Sequence, residues 1–111
     1  MSVAAHVQSL WNDADADHRS DLVWALRLVG GDERLELDER ERAVRLVVQA
    51  LLADETPAVR SRAADSLTWC TTIPGGDHLA VEVLNLARHD AVTSVKEDVA
   101  RSLGLLTDEE A

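Results

Sequence analysis

The residues best suited to chemistry in this 111-residue chain are a tryptophan and the charged side chains near it. Trp69 lies at helical spacing from Arg62 and Asp65, so the three side chains share one face of a predicted helix. Thirty-six residues later, a second helix presents an aligned face that carries Asp98, Arg101 and Leu105. We call these six residues the Trp69 strip. Because Trp and Arg are the side chains most enriched in binding hot spots, the strip predicts recognition of a partner protein.

Catalytic and metal-binding patterns are absent from the sequence. The four histidines are scattered, with no His or Cys cluster at ligand spacing, so no metal is expected. Cys70 falls on an apolar helix face, which predicts a buried and inert thiol. The run Asp13, Asp15, Asp17 lacks the glycine and terminal glutamate of a calcium loop, so it is interpreted as a solvated linker. We therefore predict no catalytic residues, no cofactor and no enzymatic activity.

The net charge indicates which kinds of partner are disfavoured, and the cysteine content indicates a cellular compartment. Eleven Lys and Arg face 21 Asp and Glu, a net charge of −10, which disfavours binding to nucleic acid and to anionic membranes. No apolar stretch is long enough to span a bilayer, and no basic leader opens the chain. One cysteine forms no internal disulfide, which favours the cytoplasm. Arg supplies all basic residues except Lys96, a usage typical of GC-rich bacterial genes.

The dominant pattern is helical periodicity interrupted by polar and glycine-rich segments, which predicts an all-α fold. Six helices are expected in three antiparallel pairs, over about 2–29, 38–71 and 77–106, within a single domain 1–106. Residues 107–111 are expected to be a frayed acidic tail. Ser2, Asp17, Asp38 and Asp77 are the predicted caps of helices one, two, three and five.

The last two pairs repeat a pattern at a constant offset of 36 residues. The matching positions are Asp54 with Asp90, Val59 with Val95, Arg60 with Lys96, Ala64 with Ala100 and Leu67 with Leu103. A two-helix repeat of about this length is the signature of an α-solenoid.

On these residues the chain resembles the HEAT-repeat family over about 38–106. The residues that carry the resemblance are Asp54, Pro57, Val59, Arg60, Ala63, Ala64 and Leu67, then Asp90, Val95, Lys96, Ala100, Leu103 and Gly104. The first helix pair departs from the pattern, since it lacks the Val-Arg dipeptide and the proline, and Thr93 stands where the third repeat should have proline. The resemblance implies a short right-handed α-solenoid of three antiparallel helix pairs that serves as a protein-binding scaffold.

The same periodicity predicts the packing. Two seams should face the hairpin partners: Val59, Ala63, Leu67 and Cys70, and then Val95, Val99, Leu103 and Leu106. The third and fifth helices are apolar around much of their girth, so we expect them to be sandwiched between other helices rather than packed on the surface. Trp11 is expected at the edge of the core. Trp24 and Leu28 share a face that either extends the strip, covers a dimer contact or contacts the next helix pair.

Three functions remain open at this level. The first is a small acidic scaffold or adaptor that docks one protein on the Trp69 strip. The second is an immunity or antitoxin type of inhibitor, whose charge attracts a basic partner protein. The third is an enzyme or enzyme subunit with a cleft between repeats.

Two structural alternatives also remain. Trp69 either binds a partner or packs between repeats, in which case Arg62–Asp98 or Asp65–Arg101 are ordinary surface pairs. The apolar ends of a solenoid also leave room for end-to-end association of the chain with a second copy.

Overall fold

Six α-helices account for most of residues 2–107, the part of the chain that the computed structural model describes. They are α1 (Val3–Trp11), α2 (Ala16–Gly30), α3 (Leu37–Ala53), α4 (Pro57–Leu67), α5 (Gly76–Ala87) and α6 (Thr93–Thr107). No strand occurs in this range, so the all-α prediction is confirmed. None of these helices has the length and apolar character needed to cross a bilayer. Of the predicted acidic tail, residues 108–111 lie outside the described part.

The starts of the first two helices show which polar side chains act as caps. Ser2 Oγ accepts a hydrogen bond of 2.9 Å from the Ala5 amide, as predicted. The predicted cap of α2, Asp17, is wrong, because Asp15 Oδ1 accepts the bond from the His18 amide at 2.8 Å. Asp17 lies in the first turn, where a carboxylate still interacts favourably with the helix dipole.

The predicted caps of α3 and α5 are also wrong. Helix α3 begins at Leu37, one residue before Asp38, and no side chain caps it. Helix α5 begins at Gly76, before Asp77, and follows Gly75 in the left-handed region with φ of 72°. That backbone conformation turns the chain into the helix without a side-chain cap.

Helix α4 ends earlier than the predicted 71, at Leu67. Beyond it the amides of Thr68, Trp69 and Cys70 each bond a carbonyl three residues back. This tight turn continues the helical path by one step. Trp69 therefore lies in the turn after α4 rather than inside the helix.

The helices pack as two rows. In one row α4 contacts both α2 and α6, and in the other α3 contacts both α1 and α5. Sequence neighbours α1 and α2, α3 and α4, and α5 and α6 also contact each other across the rows. The Cα atoms extend over 41 × 30 × 16 Å, and the shortest dimension accommodates two layers of helices about 8–10 Å apart.

The core lies between the rows and is aliphatic. The predicted seam of α4 is confirmed, since Val59, Ala63, Leu67 and Cys70 are at most 1% exposed. In α6 Val95 and Val99 are buried, but Leu103 and Leu106 are only half-buried because no helix follows α6 within the described residues. Trp11 is half-buried against the core, as expected.

Helix α3 is sandwiched as expected, since it contacts α1, α2, α4 and α5, whereas α5 contacts α3 and α6. Leu52 at the end of α3 and Leu86 near the end of α5 are exposed. Each of these helices contacts its neighbours in the same row and its partner in the other row, and its outermost face meets no other helix.

The C-terminal end of α2 depends on a glycine for close approach. A Cβ atom on Gly30 would lie 2.9 Å from Cys70 Sγ and 3.2 Å from Val44 Cγ2. The Gly30 carbonyl accepts a hydrogen bond of 3.2 Å from Nε of buried Arg40, which also donates to Thr72 Oγ1. A cation at this end of α2 is favourable because the last carbonyls carry partial negative charge.

Candidate functional site

Trp69 and Leu105 lie on one groove, as the strip requires. Their side chains are 58% and 68% exposed, although both are large and apolar. The groove between α2, α4 and α6 is lined by Arg27, Asp65, Thr68, Trp69, Leu105 and Leu106. Contiguous apolar side chains rimmed by polar ones are typical of interaction surfaces.

A second groove adjoins the first and shares Asp65 with it. Its lining residues are Ser20, Ala58, Ser61, Arg62, Asp65, Asp98 and Arg101. All six residues of the Trp69 strip therefore line two adjacent grooves on the row formed by α2, α4 and α6.

An arginine on α2 links the two tryptophans of this surface. The Cζ atom of Arg27 lies 3.7 Å from the ring centroid of Trp24 and 4.5 Å from that of Trp69. A second arginine, Arg62 of α4, has its Cζ atom 5.8 Å from the ring centroid of Trp24. A guanidinium at such distances is attracted by the negative face of an aromatic ring. The sequence did not single out Arg27, although its spacing of three residues from Trp24 marks the two as neighbours on a helix.

Arg27 is partly withdrawn from water. Its Nε atom is buried and has no hydrogen-bond partner within residues 2–107. Stacking on two indole rings offsets part of the desolvation, but it supplies no anion. A partner that brings a carboxylate to this guanidinium would form a charge-assisted hydrogen bond, which is stronger than one between neutral groups.

Two ion pairs show which residues of α2 and α4 are equivalent. Arg19 Nε donates to Asp54 at 2.8 Å, and Arg60 Nε donates to Asp90 at 2.7 Å. Arg19 precedes Arg60 by 41 residues. The first helix pair therefore also has an arginine that pairs with an aspartate of the next pair, although the sequence pattern did not indicate one. With this offset Leu28 corresponds to Trp69.

At offsets of 41 and 36 residues Leu28, Trp69 and Leu105 thus correspond in sequence, although Trp69 lies in the turn after α4 and the other two lie within helices. Leu28 is 56% exposed, and the other two are exposed to a similar degree. Trp24, the other residue of the α2 face, approaches Arg62 of α4 and is 43% exposed. Trp24 therefore lies beside the next helix pair, and both apolar side chains of the α2 face are partly exposed.

The charges of the surface are only partly neutralised within the molecule. Arg101 pairs with Asp98 of its own helix at 2.5 Å. The Arg62–Asp98 and Asp65–Arg101 pairs that the sequence allowed are not among the ion pairs of residues 2–107. Within the described residues Arg62 has no carboxylate at ion-pair distance.

The histidines and Cys70 are the other candidates for chemistry in the sequence. Among residues 2–107 no three His, Cys, Asp or Glu side chains are placed to hold a metal ion. The four histidines are exposed, and His78 pairs with Glu82 at 3.7 Å. Burial raises the pKa of the Cys70 thiol to about 11, although Arg27 and Arg40 partly oppose the shift.

A further groove lies between α1 and α3, on the other row of helices. It is lined by Gln8, Trp11, Asn12, Leu46, Gln49, Ala50, Ala53 and Asp54. Its single ionisable side chain, Asp54, is held by Arg19. The groove offers an apolar wall with amide groups and no acid–base pair.

Comparison of the chain with models of protein families, with curated proteins and with solved structures found no match.

Proposed function

We propose that this chain is a small non-catalytic scaffold that docks one partner protein on the Trp69 strip together with Trp24, Arg27 and Leu28. The observation that carries the proposal is the series Leu28, Trp69 and Leu105. Three large apolar side chains are exposed at corresponding sequence positions of three helix pairs. Exposure of one such side chain is ordinary, but a repeated row of them is typical of an interaction surface.

The architecture proposed for this scaffold is a short right-handed α-solenoid of HEAT-like repeats. Three features support it: the two rows of helices, the contacts between successive members of each row, and the recurrence of the Arg–Asp ion pair. In such a stack the second helices of successive pairs form one face, which is where ligands of solenoids commonly bind.

The local charge of the surface favours a particular kind of partner. Arg27 has a buried nitrogen without an acceptor, and Arg62 has no carboxylate partner among the described residues. We propose that the bound segment carries an apolar side chain for Trp69 and Leu105 and, next to it, a carboxylate for these guanidinium groups. This favours an acidic and apolar segment over the basic partner that the net charge alone suggests.

Selection of a random peptide library displayed on phage against the purified chain tests this proposal. The expected consensus combines Asp or Glu with a large apolar residue. Synthetic consensus peptide should bind the R62A/W69A double variant at least about tenfold more weakly, the effect of losing hot-spot contacts. The matched control is Leu86→Ser, because Leu86 is as exposed as Leu105 but lies on α5.

Two outcomes would refute the proposal. One is a basic consensus, whose binding weakens strongly with salt, since that is the behaviour of a charge-driven complex with a basic partner. The other is peptide binding that L86S abolishes and R62A/W69A leaves unchanged. Circular dichroism of each variant separates loss of binding from loss of helical structure.

A further inference from the structure

One edge of the molecule carries a repeated arrangement of hydrogen bonds. Arg19 contacts both carboxylate oxygens of Asp54, at 2.8 and 3.2 Å, and Arg60 contacts both oxygens of Asp90, at 2.7 and 3.1 Å. Each arginine also donates from Nη1 at 2.9 Å to a carbonyl of the loop before its own helix. Each aspartate also accepts a hydrogen bond from the backbone amide two residues further along the chain. These pairs join each helix pair to the next one.

The series continues in the sequence beyond both pairs. Lys96 follows Arg60 by 36 residues, so Lys96 of α6 corresponds to Arg60 of α4. Asp13 precedes Asp54 by 41 residues, the same offset that relates Arg19 to Arg60, and it lies in the loop before α2. Both side chains are exposed, and neither has an ion-pair partner within residues 2–107. Within residues 2–107 the series therefore has a carboxylate without an ion-pair partner at one end and a cation without one at the other.

The end with the cation also exposes apolar surface that is covered in the earlier helix pairs. Val23 of α2 and Ala64 of α4 are fully buried, whereas Ala100 at the same position of α6 is exposed. Within residues 2–107 a groove lies here between α5 and α6, lined by Val81, Asn85, Arg88, Lys96, Ala100, Leu103 and Thr107. Among these lining residues the ionisable ones, Arg88 and Lys96, are both basic.

The end with the carboxylate has the opposite charge. Asp13, Asp15 and Asp17 are all exposed in and beside the loop between α1 and α2. Asp15 accepts the capping bond of α2, and the carboxylate of Asp13 has no hydrogen bond from the described residues. A basic groove at one end and an acidic loop at the other are complementary, so two copies can meet without burying like charges at the contact.

We infer that this chain associates head to tail with a second copy, the α1–α2 end of one molecule docking in the α5–α6 groove of the other. Lys96 then pairs with Asp13 of the second copy and extends the series of Arg–Asp pairs by one step. The contact joins two different surfaces, so it is heterologous and grows into open chains unless the rotation closes a ring. The association is weak at low ionic strength, because each copy carries a net charge of −10 that repels the other at long range.

Sedimentation velocity over a wide range of protein concentration, at physiological ionic strength, tests the inference. The average mass should rise past that of a dimer without a plateau. Lys96→Glu and Asp13→Lys should each weaken association by about tenfold, since each replaces an attraction with a repulsion. The double variant D13K/K96E should recover it, because the contact again joins opposite charges.

Matched controls change the same amount of charge at other places. Arg45→Glu on α3 corresponds to K96E, and Glu33→Lys in the loop before α3 corresponds to D13K. Both residues are exposed, so neither control should alter the association. Four results would overturn the inference, and the first three are a monomer at millimolar concentration, a closed dimer that K96E leaves intact, and a double variant as weak as the single ones. The fourth is binding of the groove to a peptide from the library instead, which would assign this end to another partner.

Discussion

The guanidinium of Arg27 lies over the ring of Trp24 at 3.7 Å, and the same guanidinium reaches the ring of Trp69 at 4.5 Å. This arrangement connects α2 to the turn after α4 on the surface proposed to bind a partner. A guanidinium stacked on both rings should restrict the rotation of two side chains that are otherwise exposed to solvent. The surface is therefore partly preorganised, which reduces the entropy lost on binding.

Arg27→Ala should loosen both tryptophans. We expect fluorescence quenching by acrylamide to increase and the stability to fall by about 1 kcal/mol, the size of a partly desolvated cation–π contact. Arg45→Ala is the control, since Arg45 is exposed on α3 and contacts no tryptophan ring. Unchanged quenching in R27A would show that Arg27 does not hold the two rings.

The Arg60–Asp90 pair should contribute measurably to stability because both side chains are at most 15% exposed. Asp90→Asn keeps the shape of the side chain but removes its charge. We expect urea unfolding at pH 7 to show a loss of about 1–3 kcal/mol. A loss of similar size is expected for Asp54→Asn, which breaks the equivalent pair with Arg19.

The Arg60–Asp90 pair also predicts how the free energy of unfolding depends on pH. The Arg60 guanidinium lowers the pKa of Asp90 below its usual 3.8 in the folded state. The unfolded chain therefore binds the proton more readily, so the stabilisation is present above pH 4 and is lost as the pH falls through the folded-state pKa. The stabilities of wild type and D90N should converge as the pH falls below about 4 and through the lowered folded-state pKa of Asp90. A difference that stays constant over this range would contradict the assignment.

Gly30→Ala should be destabilising because its new Cβ would lie 2.9 Å from Cys70 Sγ. We expect a loss of about 1–3 kcal/mol, typical of overpacking in a close contact. Cys70→Ala removes the sulfur that the new methyl group meets. The double variant G30A/C70A should therefore be less destabilised than the two single losses added together, which thermal unfolding of all four proteins will measure.

The Cys70 thiol should react slowly in the folded protein. Its pKa is raised to about 11 by burial, and the side chain is 1% exposed, so both the thiolate fraction and the access of a reagent are low. Labelling with iodoacetamide at pH 8 should accelerate by orders of magnitude when urea is added. Labelling of the native chain at the rate of a free thiol would contradict this.

Much of the fold followed from periodicity, because buried aliphatic positions recur at helical spacing. Val59, Ala63 and Leu67 were predicted on one seam and are fully buried. The 36-residue offset likewise placed Trp69 and Leu105 on one surface, where they share a groove. Such relations within or between similar helices are visible in the sequence.

Other features depend on contacts between distant elements. Arg19 was missed because the first helix pair is offset by 41 residues rather than 36; α3 has 17 residues where α5 has 12. Glycine is required at position 30 because the backbone there lies close to Cys70. Helical periodicity gives no information about such distances between elements. The starts of α3 and α5 were misplaced because backbone geometry at Glu36 and Gly75, rather than a side-chain cap, begins them.

The most direct test of the proposed docking surface is site-specific photo-crosslinking in living cells of the source organism. A photoreactive amino acid at Leu105 should give a discrete protein adduct, and the same amino acid at equally exposed Leu86 should not. The Leu105 adduct should disappear when Arg62 and Trp69 are both replaced by Ala. Equal adducts at both positions, or an adduct from Leu86 alone, would contradict partner binding on the Trp69 strip.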